Sequence, residues 1–431
     1  MKHAILTPIQ KPITAEISIP GSIGYTIRAL NIAAMTKGSV KIINPLLSDD
    51  TRKMIEALQT LGITVEEGKN YFLVTGDIND VKDSTYTIDI GLSGRTARSI
   101  LAFLCVVPGE KKVICSEPFK KRPVGDLVEG LRQLGAQIEY IEEEGYLPVK
   151  ILRAKLSEKK IKMTGSNSSQ FFSAIMMIAP IIGEITIDVI GKQASKPFID
   201  MTIDIMKRFG TSVENNNYTS YKIKKDQTYK NPKTYIVEPE STSASYFFAI
   251  AAITKSTIKV LNLNLHSVQG DLLFVNILQL MGCEIKENVN EHWIEVKGTN
   301  TLNGITIDLN GAPDLVPTLA VVAAFAKGVT KMTNIEHARL KETDRIQSPA
   351  TELEKMGIKT EYTQDCLSVY GGQTKPAEIN TYHDHRMAMA FAVAGSKING
   401  LQINDSDVVN KSFPNFWKKL EELGISVKEY V

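Results

Sequence analysis

A chain of 431 residues is too long for one hydrophobic core and predicts two or three domains. Fifty Lys and Arg against 48 Asp and Glu leave a formal net charge of +2, which excludes a general nucleic-acid or membrane-surface binder and assigns any anion binding to local clusters. The 43% hydrophobic and 23% charged residues are those of an ordinary soluble globular protein, and the scattered Cys105, Cys115, Cys283 and Cys366 fit neither a disulfide framework nor a zinc site, which points to a reducing, cytoplasmic location.

The first residues, "MKHAILTPIQ", lack the apolar core of a secretion signal. Next, "PGSIGYT" leads into an apolar helix, "TIRALNIAAM". Its small residues leave backbone N–H groups open and Arg28 follows on the first turn, as an anion-binding helix start requires, but Ile23 and Gly24 stand where a cation and a hydroxyl would serve best. Then "MIEALQTLGITVEE" reads as an amphipathic helix, a glycine stop and an alternating strand.

This succession recurs along the whole chain. The later glycine-stopped helices are "LVEGLRQLGAQIEY", "TIDIMKRFGTSVEN", "VNILQLMGCEIKEN", "ATELEKMGIKTEYT" and "FWKKLEELGISVKE". Their glycines, with Gly62 first, are Gly135, Gly210, Gly282, Gly357 and Gly424, spaced by 73, 75, 72, 75 and 67 residues. Regular spacing on this scale signals six copies of one α/β unit. Each glycine marks a helix end that needs a left-handed residue.

Upstream of each lies a second helix, in order after the first "ARSILAFLCV", "SQFFSAIMMIA", "ASYFFAIAAI", "LVPTLAVVAAFA" and "RMAMAFAVAG". Apolar nearly all round, these are predicted to be buried inside their domains. The runs "FFSAIMMIAPIIG" and "LVPTLAVVAAFA" fall short of the roughly 18 residues of a membrane span and contain proline, so they too read as core helices. Their lead-ins are "GLSGRT", "GSNSS", "PESTS", "NGAPD" and "YHDHR". Any one of them reads as an ordinary N-cap, but six in a repeated array, several with Arg or Lys nearby, suggest helix starts that serve one polyanionic ligand.

Charged side chains gather at a few points. "HARLKETDRI" carries Arg339, Lys341, Glu342, Asp344 and Arg345; "YHDHRMAMAF" carries His383, Asp384, His385 and Arg386; "NKSFPNF" begins its basic contribution at Lys411. Earlier in the chain, "FKKRPVGDL" offers Lys120, Lys121 and Arg122, and "TGSNSSQFF" offers Ser168, Ser169 and Gln170. Cations beside hydroxyls suit a ligand with phosphate and carboxylate groups.

Six units with "GSNSSQF", "KRPVGDL", "PDLVPTLAV", "RLKETDRI", "DHRMAMAF" and "KSFPNF" together resemble the 5-enolpyruvylshikimate-3-phosphate (EPSP) synthase family over essentially the whole chain. The resemblance implies an α/β fold of two domains, an inside-out α/β barrel of six repeated βαβαββ-like units, three per domain. It places residues 1–20 with 240–431 in one domain and 21–239 in the other, with a cleft that closes on substrates. It also implies transfer of the enolpyruvyl group of phosphoenolpyruvate to the 5-hydroxyl of shikimate 3-phosphate with release of phosphate, by a monomer without metal, organic cofactor, nucleic-acid partner or membrane.

Carried over by motif, Arg28, Ser168, Ser169, Gln170 and Ser195 hold shikimate 3-phosphate, and Asp314 and Lys341 reach its hydroxyls. Arg345 and Arg386 clamp the phosphoenolpyruvate carboxylate, while Arg122, Lys411 and the backbone N–H near Gly94 take its phosphate with help from Gln170. Asp314 is the candidate base and Glu342 the candidate acid, with Lys341 beside them. Read without the family, Asp314 is equally an N-cap and Glu342 an exposed partner of Arg339 or Arg345.

Three departures fall in the first half of the chain. "GSIG" puts Ile23 and Gly24 where the family usually has Lys and Ser, "GLSGRTAR" puts Leu92 and Arg95 where it usually has Asn and Thr, and Phe198 replaces a frequent Tyr. Arg95 is expected to restore the charge lost at Ile23, and reduced glyphosate sensitivity is expected with it. Alternatives are a UDP-N-acetylglucosamine enolpyruvyl transferase using Cys115, an eliminating enzyme acting on a related phosphorylated cyclohexene acid, or a non-catalytic binder. Cys115 at the end of "VIC" reads better as a structural thiol.

Overall fold

The computed structural model describes residues 2–431. The chain forms two compact units, residues 1–20 with 239–431 and residues 21–238, each with its own apolar core. Among the described residues, six four-stranded sheets are distributed evenly between them. The glycine-stopped helices end as their sequences require: Gly62, Gly135, Gly210, Gly282, Gly357 and Gly424 all have φ between 80° and 109°.

The unit at residues 85–151 shows the common plan. Strand Thr85–Asp89 runs parallel to Glu110–Ile114, with Ile88 opposite Val113, and the helix Gly94–Leu104 makes the crossover. The helix Gly125–Gln133 then leads to an antiparallel pair, Ile138–Tyr140 and Val149–Ile151. Inward residues such as Val113 and Val149 are fully buried while their strand neighbours face outward, which fixes the register.

Three sheets borrow a strand from far along the chain. Thr234–Ile236 lies parallel to Ser39–Ile43. Thr14–Ser18 lies parallel to Thr257–Leu261. His3–Thr7 sits between Leu401–Asn404 and Ser426–Tyr430, antiparallel to both.

Inside each unit lie three of the apolar helices: Ile23–Ala34, Gly94–Leu104 and Ser169–Ile182 in one, Ser241–Thr254, Val316–Ala324 and His385–Gly395 in the other. Each trio packs together, and almost every residue in these helices is buried. Helices inside and sheets outside are what an all-round apolar helix demands. Among the described residues no helix is long and apolar enough to cross a membrane.

Candidate active site

In the unit of residues 239–431, the buried helix His385–Gly395 starts on Asp384, whose Oδ1 accepts from the Arg386 N–H at 2.9 Å. The same carboxylate, fully buried, accepts from Arg345 Nε at 2.7 Å and Nη2 at 3.1 Å. Arg345 turns its remaining donors to Asp314 Oδ1 at 2.6 Å and Glu342 Oε2 at 2.8 Å. Arg386 Nη2 donates to Asp314 Oδ2 at 2.9 Å, Lys411 Nζ to Glu342 Oε1 at 2.9 Å, and Lys341 Nζ lies 3.7 Å from Asp314. The six sequence-predicted residues of this unit therefore form one network around the Arg345 guanidinium.

Burial alone would disfavour the Arg345 charge, but Asp384, Glu342 and Asp314 outweigh it and hold the guanidinium firmly protonated. Asp314 lies inside the 3-10 turn Pro313–Leu315, and the N-cap positions of that turn and of the helix after it fall on Ala312 and Leu315, so Asp314 does not occupy the N-cap position expected of it. Glu342, with its side chain only 12% exposed, is not an exposed helix pair either. Asp271 accepts from the Thr242 hydroxyl and feels the charge of Arg386; burial and the like charge of Asp314 push its carboxyl up from the ordinary carboxylate value. His385 is completely buried and driven well below its ordinary value by that burial and by Lys411 and Arg386.

In the unit of residues 21–238, the helix Gly94–Leu104 begins on Ser93, whose hydroxyl caps the Thr96 N–H. A Cβ built on Gly94 would lie 2.8 Å from both terminal nitrogens of Arg122 and from Arg98 Nη1. Two guanidinium groups thus crowd the helix start, and a side chain at Gly94 would push them aside. Arg98 also donates to Gln170 Oε1 at 3.1 Å, joining this helix to the start of Ser169–Ile182, where Ser168 caps the Gln170 N–H.

Arg28 donates to Thr202 Oγ1 at 2.8 Å, to the Gly24 and Phe198 carbonyls at 2.9 and 3.0 Å, and to Ser173 at 3.4 Å. Ser195 precedes the helix Lys196–Arg208 in a left-handed conformation, φ 52°. A pocket of about 360 Å³, counted with its open mouth, is lined by Gly24, Arg28, Arg95, Gln170 and Phe198 among others. Ile23 is buried and Leu92 is exposed. Arg95 does reach this pocket, but Nη1 is 3.7 Å from the buried Asp50 carboxylate, so its charge arrives with a counter-charge. Cys115 follows strand Glu110–Ile114 and burial pushes its thiol up to about 11, far from an activated nucleophile.

Asp384, Asp50, Arg98 and Asp271 went unassigned in the sequence reading. Asp384 was visible within "DHR", where an acidic residue precedes a buried helix. Asp50 and Asp271 carry no comparable local signal, because their partners come from other helices.

The fold and the grouped guanidinium and carboxylate groups define a class of α/β enzymes that handle anionic substrates. A family model described as EPSP synthase (3-phosphoshikimate 1-carboxyvinyltransferase) matches residues 7–420. Proteins named 3-phosphoshikimate 1-carboxyvinyltransferase from Sulfurovum sp. and Vibrio atlanticus are each 40% identical, covering 98% and 99% of this chain and 99% and 100% of their own. The EPSP synthase structure from Acinetobacter baumannii superimposes with a TM-score of 0.84 over 100% of both chains at 24% identity, a likeness of fold. The chain belongs to the EPSP synthase family.

Proposed function

We propose that this chain transfers the enolpyruvyl group of phosphoenolpyruvate to the 5-hydroxyl of shikimate 3-phosphate. The observation that carries the reading is that one buried guanidinium, that of Arg345, binds both Asp314 at 2.6 Å and Glu342 at 2.8 Å, fixing two carboxyl groups side by side among cations. Asp314 takes the proton of the attacking hydroxyl as its oxygen bonds to the central carbon of phosphoenolpyruvate, and Glu342 delivers a proton to the methylene carbon. The Glu342 carboxylate then takes back a methyl proton as phosphate leaves the adduct, which restores the double bond. Lys341 steadies the charge at Asp314.

Arg345 and Arg386 receive the phosphoenolpyruvate carboxylate, exchanging protein carboxylates for the substrate's. Arg122, the Gly94 backbone, Gln170 and Lys411 receive its phosphate, and Arg28, Ser168, Ser169, Gln170 and Ser195 receive shikimate 3-phosphate. Arg95 brings a guanidinium to the pocket in place of the cation missing at Ile23, with Asp50 beside it as counter-charge. The enzyme works as a cytoplasmic monomer, in keeping with its four free thiols.

Phosphate release and product mass, followed with shikimate 3-phosphate in the presence and absence of phosphoenolpyruvate, test this directly. Release is expected only with both substrates; release from shikimate 3-phosphate alone would establish elimination, and none at all a binder. With the Ile23, Gly24, Leu92 and Arg95 changes reshaping the site, glyphosate is expected to inhibit weakly, and a sub-micromolar inhibition constant would contradict that.

A further inference from the structure

Two consecutive residues before the His385–Gly395 helix, Tyr382 and His383, have φ values of 54° and 57°. Left-handed backbone strains any residue with a side chain, and two in succession persist only where the surroundings fix them. The fixing group is Glu352, a carboxylate with no exposed surface on the helix Gln347–Lys355. Its Oε1 accepts from the Tyr382 hydroxyl at 2.6 Å and its Oε2 from the Asn380 N–H at 3.0 Å and Lys355 Nζ at 2.7 Å. His383 is tied separately, Nδ1 to Asp405 Oδ2 at 2.9 Å.

The chain path closes a ring. Arg345 stands two residues before the helix that carries Glu352; Glu352 holds Asn380 and Tyr382; the next residue but one, Asp384, returns to Arg345 through two hydrogen bonds and caps the Arg386 N–H. We infer that Glu352 is a positioning residue that sets the mutual orientation of the Arg345 and Arg386 guanidinium groups by holding the 380–384 turn. Resting on the carboxylate-clamp role given to these arginines above, it makes Glu352 a determinant of phosphoenolpyruvate affinity without touching substrate.

Steady-state kinetics on Glu352→Ala, Glu352→Gln and Tyr382→Phe test it together with solvent exchange of the Arg345 Nε–H measured by NMR. Glu352→Ala is expected to raise KM for phosphoenolpyruvate at least tenfold while KM for shikimate 3-phosphate stays within twofold, and Glu352→Gln, which keeps an acceptor for Asn380, to recover most of the loss. Tyr382→Phe, which removes one hydroxyl from a partly exposed ring and decides alone if Glu352→Ala does not fold, is expected to raise the same KM three- to tenfold. Exchange at Arg345 is expected to quicken at least tenfold in both deleting variants. Equal changes in both KM values, or unchanged Arg345 exchange, would overturn the inference. A parent without turnover but with the exchange effect intact would overturn the functional reading and leave this one standing.

Discussion

Arg345 and Arg386 in one unit and Arg28 and Arg98 in the other make hydrogen bonds of different kinds. In residues 239–431 the guanidinium groups are held by carboxylates: Arg345 by Asp314, Glu342 and Asp384, and Arg386 by Asp314. In residues 21–238 Arg28 donates to two carbonyls and two hydroxyls, and Arg98 to the Gly94 carbonyl and the Gln170 amide. Carboxylate partners make a rigid, nearly neutral cluster that orients acid and base before any ligand arrives. Carbonyl and hydroxyl partners orient a guanidinium without bringing a full opposing charge of their own, which suits the capture of phosphate.

The severest way to break this contrast is Arg345→Met. It strips the central cation from three carboxylates at once, and urea unfolding is expected to show a loss of about 3–5 kcal/mol, the usual result of leaving buried charge uncompensated. A loss below about 1 kcal/mol would mean that the network is not held by charge.

Lys111 sharpens the other side. It points inward from strand Glu110–Ile114, only 2% exposed, and donates to the Val107 carbonyl; burial holds it down to about 8 from 10.5. Between those values the unfolded chain binds more protons than the folded one, so stability rises with pH over that window and the full penalty applies below pH 8. Lys111→Met is therefore expected to stabilise at pH 7 by about 2–3 kcal/mol, with the gain in thermal melting fading as pH is raised toward 10.5.

Arg95→Ala gives the smallest effect. Loss of one charged hydrogen bond of about 1.5–3 kcal/mol is expected to raise KM for phosphoenolpyruvate roughly ten- to a hundredfold. An unchanged value would show that Asp50 already neutralises Arg95 and that the charge at Ile23 was never replaced.

The architecture was legible because it depends on local chemistry repeated six times: a glycine where a helix must stop, an all-apolar helix where none of its faces meets water, hydroxyls and glycines at its start. The residues around Arg345 were legible through a family motif. Glu352 was not. In "ATELEKMG" an acidic residue on an amphipathic helix reads as solvent-facing, and what buries it is a turn 28 and 30 residues further on. The left-handed pair Tyr382–His383 leaves no mark either, since neither residue is a glycine or asparagine. Asp50 escaped for the same reason: it opens an ordinary helix at Asp49–Thr60, and only the fold brings Arg95 to it.

The borrowed strands bear on how the protein is made. Residues 21–238 contain all the strands of their three sheets, so this unit can collapse on the ribosome as soon as Thr234–Ile236 closes against Ser39–Ile43. Strand His3–Thr7, synthesised before any of it, must wait for Leu401–Asn404 and Ser426–Tyr430. Although His3–Thr7 precedes both of its partners in the chain, it is thus among the last strands to be paired, and its backbone groups stay without their sheet partners until then.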